Sequence, residues 1–552
     1  MPDRGLGISM RYLTKWVEAR RRGATRRQLL RGGGLLAAGW LLPVPGLADP
    51  RPVQRQPTGS GPYRALGVRP LINARGTVTI VGASRVLPEV RRAMDAAVRE
   101  YVHIDELMDA VGRRLAELTG AEWGIVTSGA SAALTVATAG CITGGDPDRL
   151  VRLPDLRGMK DEVIVPRYAR TAYEQAVRAV GVSIVEVDSR AELEAALGPR
   201  SALVMVLAGR RSEEGPLSLA EIASLAGPRG VPILVDAAAD ELVVPNPYLS
   251  NGADLVAYSG GKCLRGPQCA GVLLGRQGLV RAAWINSAPH HGFGRGFKVG
   301  REEIMGMLAA VEMWMKRDHA AETRTWSAWL EHIAARLAGV AGVRTQILQP
   351  QGLSNRTPTL RVEWDPEVVP LTGDDVEKIL WDGEPRIAVG GAGSFLPFPP
   401  NTEPTIQVVP YQLDAGEEQI VADALHAVLS NPPRRPPRTD PPGSDVGGQW
   451  DVEVRFAAGT ASQAFALEQR GSELRGTHHA SFASRDLAGT LHGEDLLVRS
   501  SCTDRGVRLN FTFTGKVSGD AMAGTVSMGE YGVAPWTASR HGYRPPGARP
   551  PA

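Results

Sequence analysis

The chain has 552 residues, 43% of them apolar and 22% charged, with a formal net charge of +3. That balance is globular, and the length is a soft prior for about three or four domains. The basic excess is concentrated at the front, where nine Arg or Lys stand against two acidic residues before Gly32, so no domain-wide basic face points to nucleic acid.

The front of the chain reads as an export signal. Thr25-Arg26-Arg27-Gln28-Leu29-Leu30 is a twin-arginine motif, followed by an apolar stretch over 34–47 that Pro43 and Pro45 interrupt. The stretch is too short and broken for a stable membrane span. With Ala48 as a cleavage point, residues 1–48 are expected to be a signal peptide and the protein periplasmic or exported. A basic N-terminus on a cytoplasmic enzyme is the alternative. The Pro- and Gly-rich stretch 49–64 follows as a linker. The four cysteines, Cys141, Cys263, Cys269 and Cys502, are too few for a disulfide scaffold and read as free thiols.

Apolar periodicity then predicts helices over 88–100 and 105–118. Trp123-Gly124-Ile125-Val126-Thr127 is a short strand running into Ser128-Gly129-Ala130-Ser131-Ala132-Ala133 and a helix. Small residues there allow close backbone approach, and open N–H groups at a helix start suit a phosphate. A tightly packed helix start reads the same way. Strands over 163–165, 183–187, 202–207, 231–235, 255–258 and 270–274 alternate with helices over 172–180, 190–197 and 218–225. The series predicts a mostly parallel sheet covered by helices, with ligands beyond the carboxyl ends of the strands. Ser128, Asp236 and Lys262 each follow such an end. Asp236 closes Ile233-Leu234-Val235-Asp236, and Lys262 sits in Ser259-Gly260-Gly261-Lys262. A lysine and an acid so placed suit a Schiff-base cofactor whose pyridine nitrogen faces the carboxylate.

The loop Pro289-His290-His291-Gly292-Phe293-Gly294-Arg295-Gly296-Phe297-Lys298 could close on an anion. Its paired histidines have no ligand cluster nearby, so no metal is expected. A helix over 302–315 is expected to bury Met305, Leu308, Val311 and Met315, and a second helix runs over 324–337. Strands over 339–348, 357–364 and 386–389 with helices over 374–381 and 415–428 predict a small α+β domain. After a Pro/Gly-rich linker at 431–448, eight short strands between 450 and 540 predict a closed or nearly closed antiparallel barrel. His478 and His479 alternate faces there. That module is expected to be structural, or to bind a protein or a small apolar ligand.

Ser259-Gly260-Gly261-Lys262-Cys263-Leu264-Arg265-Gly266-Pro267-Gln268, with Thr127-Ser128-Gly129-Ala130-Ser131-Ala132-Ala133, resembles a known family. It is the selenocysteine synthase (seryl-tRNA selenium transferase)-like group of fold-type-I pyridoxal-phosphate enzymes, including its D-glucosaminate-6-phosphate ammonia-lyase branch. The resemblance covers about 65–430 and implies an α/β large domain over 65–325, an α+β small domain over 326–430 and, beyond the family, the barrel over 449–545. It implies that Lys262 carries pyridoxal 5'-phosphate as a Schiff base, that Asp236 faces the pyridine nitrogen and that Ser128, Gly129, Ala130 and Ser259 hold the phosphate. Arg265, Arg295, Lys298 and Arg75 become candidates for an anionic group. Members carry a histidine above the ring where this chain reads Pro166-Arg167-Tyr168-Ala169-Arg170, so Tyr168 could stack there or His103 could reach in from a partner. The family also implies a homodimer or larger assembly, with 88–118 at its interface. The expected activity is an ammonia-lyase type α,β-elimination on an amino acid or amino sugar acid, in which a β-leaving group departs and the enamine left hydrolyses to a keto acid and ammonia. Aminotransferase, racemase and aldolase chemistry start from the same covalent complex, and a degenerate, non-catalytic binding protein is the rival of a different class.

Overall fold

The computed structural model describes residues 61–391, 402–433 and 440–542. The signal expected over 1–48 lies outside them, as do most of the first linker and the middle of the second. Residues 61–70 belong to a unit of their own and hold one short helix, Pro62–Ala65.

The second unit begins at Leu71–Ala74 (β1), whose strand partner arrives three hundred residues later. Seven strands build the large sheet: Trp123–Thr127 (β2), Glu162–Pro166 (β3), Ser183–Val187 (β4), Ser201–Leu207 (β5), Ile233–Asp236 (β6), Leu255–Ser259 (β7) and Gly271–Gly275 (β8). Their order is β2-β8-β7-β6-β5-β3-β4. All run parallel except β8, which is antiparallel to both neighbours. The short 260–270 connection explains β8, because a parallel return needs a crossover of a dozen residues or more. Lys262 lies in that connection.

The strands of the large sheet are nearly continuous apolar runs, as a sheet covered on both faces requires. Behind the sheet runs the helix Gly129–Thr143, buried on almost every side. Its Ala, Thr and Gly side chains let neighbours approach closely. A Cβ at Gly140 would lie 2.8 Å from the backbone nitrogen of Ala283, so the helix packs directly on the backbone of the helix Gln277–Ile285.

The helix Arg301–Trp314 buries Ile304, Met307, Val311 and Trp314. Of the expected stripe Met305-Leu308-Val311-Met315, Val311 is fully buried and Met305 and Leu308 pack partly buried against the core, while Met315 is 36% exposed. Two anchors rotate the helix: Trp314 Nε1 donates to Leu242 O at 2.7 Å, and Met307 Sδ packs against Gly260 of the lysine turn.

A second core surrounds a five-stranded sheet made of Val343–Leu348 (β9), Thr359–Trp364 (β10), Arg386–Gly391 (β11) and Thr405–Val408 (β12), in the order β1-β11-β12-β10-β9. Thus β1, which the sequence grouped with the large domain, pairs with β11 in the small one. The helix Gly373–Asp382 starts with a capping box between Thr372 and Asp375. Helices His319–Leu337 and Glu417–Ser430 complete this layer.

The C-terminal strands are Gly448–Phe456 (β13), Gly459–Arg470 (β14), Glu473–His479 (β15), Ser484–His492 (β16), Asp495–Asp504 (β17), Val507–Ser518 (β18), Ala521–Ser527 (β19) and Val533–Arg540 (β20). They form a closed barrel, with each strand antiparallel to the next and β20 returning to β13. Its core holds Trp450, Phe465, Phe513 and Trp536, the last three meeting edge to face. At one end, Gly506 in the β17–β18 turn lies against the backbone of Thr171, where a Cβ would come within 2.3 Å of Thr171 O. No helix among the described residues is long and apolar enough to cross a membrane.

Candidate active site

Asp236 is the last residue of β6 and is 3% exposed. Its register partner on β7 is Ala257, so the two strands end at one edge and the turn after β7 returns Lys262 beside the carboxylate. The Asp236 Oδ1 accepts the Ala238 N–H at 3.1 Å. Burial pushes the Asp236 carboxyl above the usual range, against the smaller downward pull of the Ala238 N–H and Lys262. Burial pushes the Lys262 ammonium below its ordinary value, and Asp236 is the strongest charge opposing that shift. The pair is thus a desolvated amine and a desolvated acid in each other's field.

The third strand end is Thr127 of β2, which reaches the same edge because β2 and β7 are both antiparallel to β8 between them. Gly271, at the start of β8, is opposite both Thr127 and Ser259. A Cβ on Gly271 would stand 2.7 Å from Gly129 C, Ala130 N and Tyr258 O. Only glycine lets the start of the helix Gly129–Thr143 press so close to the lysine strand. Ser128 precedes that helix, but its side chain caps none of the first-turn N–H groups. The Thr127 hydroxyl instead donates to Gly129 O at 2.9 Å. The helix start is therefore turned toward the sheet edge with its serine hydroxyl not used as a cap, and this cradle fits the phosphate of the cofactor implied by sequence.

The glycines of the lysine turn have packing reasons. A Cβ at Gly260 would meet Met307 Sδ at 2.5 Å, and one at Gly261 would meet Gln268 Cα at 2.8 Å. Arg265 adopts a left-handed conformation with φ of 53°, a strained setting for a side-chain-bearing residue. Its Nε donates to Arg85 O at 3.2 Å, and it lines a cleft with Cys263, Trp314, Arg317 and Tyr411. Arg265 thus reaches from the lysine turn into that cleft.

Of the other expected residues, Tyr168 alone is placed at this edge by its strand. Tyr168 follows β3 at the correct sheet edge, and its hydroxyl donates to Leu217 O at 2.9 Å. His103 precedes the helix Ile104–Thr119 and is exposed. Arg295 and Lys298 are exposed too; Gly294 of their loop packs against Val136, midway along the central helix. Arg75 follows β1 in the small-domain layer and pairs with Glu377 at 3.5 Å.

Sequence reading missed a buried polar group behind the lysine. Asp240 is 2% exposed and accepts the Tyr248 hydroxyl, while Asn246 Nδ2 donates to the Tyr258 hydroxyl at 2.7 Å. The Cys263 thiol donates to Asp240 O at 3.1 Å, tying the residue after Lys262 to this group. Its signal was the second acid in Asp236-Ala237-Ala238-Ala239-Asp240. Tyr173 also lies in the electrostatic field of both Asp236 and Glu530, the latter from the turn between β19 and β20.

No protein-family model matches the chain. D-glucosaminate-6-phosphate ammonia lyase of Salmonella typhimurium is 33% identical over 332 residues, covering 58% of this chain and 87% of that one. The 5'-C-glycyluridine monooxygenase-decarboxylase of a Streptomyces species is 31% identical over 299 residues, covering 52% and 73%. An L-seryl-tRNA(Sec) selenium transferase of Rhizobium meliloti is 31% identical over 286 residues, covering 46% and 58%. A solved structure of D-glucosaminate-6-phosphate ammonia-lyase superposes with a TM-score of 0.59 at 30% identity, across 66% of this chain and 97% of that one.

Proposed function

Because the chain belongs to the fold-type-I pyridoxal-phosphate family of D-glucosaminate-6-phosphate ammonia lyase, we propose that it catalyses an ammonia-lyase type α,β-elimination on an amino acid or amino sugar acid: the α-proton and a β-substituent leave, and hydrolysis of the resulting enamine gives a keto acid and ammonia. It is a pyridoxal-phosphate-dependent enzyme of α/β fold with an added barrel. The observation that carries the proposal is the meeting of Lys262, Asp236 and the Ser128–Ala130 helix start at one sheet edge. Pyridoxal phosphate, when bound, supplies an electron sink for the charge left at the substrate's α-carbon.

The chain's own residues do the rest. Lys262 anchors the cofactor and, once freed, presents Nζ as a base; its desolvation favours the neutral amine that can take the α-proton. Asp236 holds positive charge on the pyridine nitrogen, and its burial keeps water from screening that contact. Ser128, Gly129, Ala130 and Ser259 receive the phosphate. The Tyr168 hydroxyl is committed to Leu217, which leaves its ring as the part that can face the cofactor.

The decisive experiment adds pyridoxal phosphate to wild type and Lys262→Ala, then screens amino acids and amino sugar acids for ammonia and keto acid. Wild type should show the visible cofactor band and release both products, and the variant should show neither. Racemised substrate or a transaminated cofactor without ammonia would replace the lyase assignment with another reaction of the same family.

Export through the twin-arginine pathway rests on Arg26-Arg27, and Arg26→Lys with Arg27→Lys should hold the protein in the cytoplasm on fractionation. Equal periplasmic recovery of that variant would remove the export reading. A homodimer or larger assembly is supported by Val98, Tyr101 and Val102, which expose 54%, 94% and 48% of their surface between two helices of the expected interface. Light scattering should give at least twice the chain mass, reduced by Tyr101→Glu.

A further inference from the structure

We propose that the C-terminal barrel is a receptor for a small carboxylate, held in its lumen by Arg485. The strand alternation places Arg485, Leu487 and Leu491 of β16 on the inner face with His478 of β15 and Ser500 and Cys502 of β17. Arg485 is 8% exposed. Its Nε donates to Cys502 Sγ at 3.0 Å, and its guanidinium lies 4.5 Å from the centre of the Phe511 ring. Its Nη1 is buried without a hydrogen-bond partner, and no carboxylate among the described residues pairs with it. A guanidinium held in a barrel interior without a counter-ion is costly, and an entering anion removes that cost.

The lumen has two unlike ends. Toward the 471–472, 493–494 and 519–520 turns, the inward residues Leu474, Leu491, Leu496, Val517 and Met522 are all buried. Toward the 480–483 and 505–506 turns, the inward residues Gln463, Cys502, Leu509 and Phe511 stay partly exposed. The second end carries Arg485 and is the less tightly filled of the two, so a ligand would enter there, beside the 505–506 turn that lies against Thr171. His478 bridges Ser500 Oγ at 2.7 Å and Gln463 Oε1 at 2.8 Å, forming a fixed neutral polar floor beside the guanidinium.

One cation, neutral polar groups and aromatic walls match a monoanion with an apolar body. A phosphate dianion would ask for more positive charge. Neither ligand class follows from the cofactor site, so this proposal stands apart from the lyase reading.

The test titrates the full-length, cofactor-loaded protein with hexanoate, benzoate, inorganic phosphate and chloride, by calorimetry and thermal unfolding. Hexanoate or benzoate should bind one per chain and raise the unfolding temperature, while phosphate and chloride should not. Arg485→Met should keep the cofactor's visible band and bind the carboxylate at least tenfold more weakly. Leu509→Trp, which keeps the arginine and fills the entrance, should also lose binding, so the outcome does not hang on one variant's folding. Unchanged carboxylate affinity in both variants would place the binding elsewhere and overturn the proposal, as would equal stabilisation by phosphate, or no response of wild type to either carboxylate.

Discussion

The charge on Lys262 is set by two opposing influences, burial that disfavours it and the Asp236 carboxylate that favours it. The sign of each contribution to stability follows. Lys262 has a lowered folded value, so its contribution is present above its unfolded value of 10.5 and is lost as pH falls through the lowered one. Asp236 has a raised folded value, so its contribution is present below 3.8 and is lost as pH rises through the raised one. Between those limits the two ionised groups depend on each other. Asp236→Asn should therefore lower the pH at which Lys262 in cofactor-free protein becomes reactive, measured by reductive trapping of a small aldehyde. Turnover in the same variant should fall by ~100-fold or more, since pyridine-nitrogen charge is lost; an unmoved trapping profile would show that the two groups do not communicate. These two residues were legible because a strand end leaves a side chain at a predictable place. The place of Arg295 and Lys298 was less legible, because a loop's reach depends on which helix it packs against, and Gly294 packs on Val136, midway along the helix Gly129–Thr143.

At the scale of elements, the site depends on glycines as much as on charged groups. Gly271 sets how closely the central helix approaches β7, and an added methyl would press on backbone at 2.7 Å. Backbone cannot swing aside as a side chain can. Gly271→Ala is expected to cost about 1–3 kcal/mol of overpacking and to displace the helix start, weakening cofactor affinity while secondary structure persists. Cofactor titration beside circular dichroism checks this; unchanged affinity would remove the helix start from the cofactor site. The alternating helices and strands of the large sheet were readable from apolar runs and turn residues. The direction of β8 was less so, because strand periodicity is blind to direction and the short 260–270 connection decides it. The apolar face of Arg301–Trp314 was legible at Met305, Leu308 and Val311, but its centre lies about one position earlier, because the Trp314–Leu242 bond and the Met307–Gly260 contact set the rotation. Thr405–Val408 is short, and the helix Gln277–Ile285 lacks a clean amphipathic pattern, so neither stood out.

Among the described residues, three apolar cores serve three different sheets, and only the barrel's core contains a fully buried histidine. His478 is held at about 3 by burial first, then by Arg485 and His479, against an ordinary value of 6.5. A lowered folded value means that its contribution is complete above 6.5 and is lost as pH falls toward 3. Acidification should therefore loosen the barrel on the order of a few kcal/mol while the ammonia-lyase-like portion, whose described residues bury no histidine in its cores, follows its carboxylates instead. Hydrogen exchange resolved by peptide, in increasing urea at neutral pH and at about pH 4, separates the two. Barrel peptides of wild type should open at lower urea in acid. In His478→Gln, which keeps a side chain able to bond Ser500 and Gln463 without titrating, the barrel's acid shift should shrink toward that of the large-sheet peptides. An equal acid shift in both proteins would mean that the barrel's pH response comes from its surface carboxylates, and that the buried imidazole is held neutral at no cost to the fold.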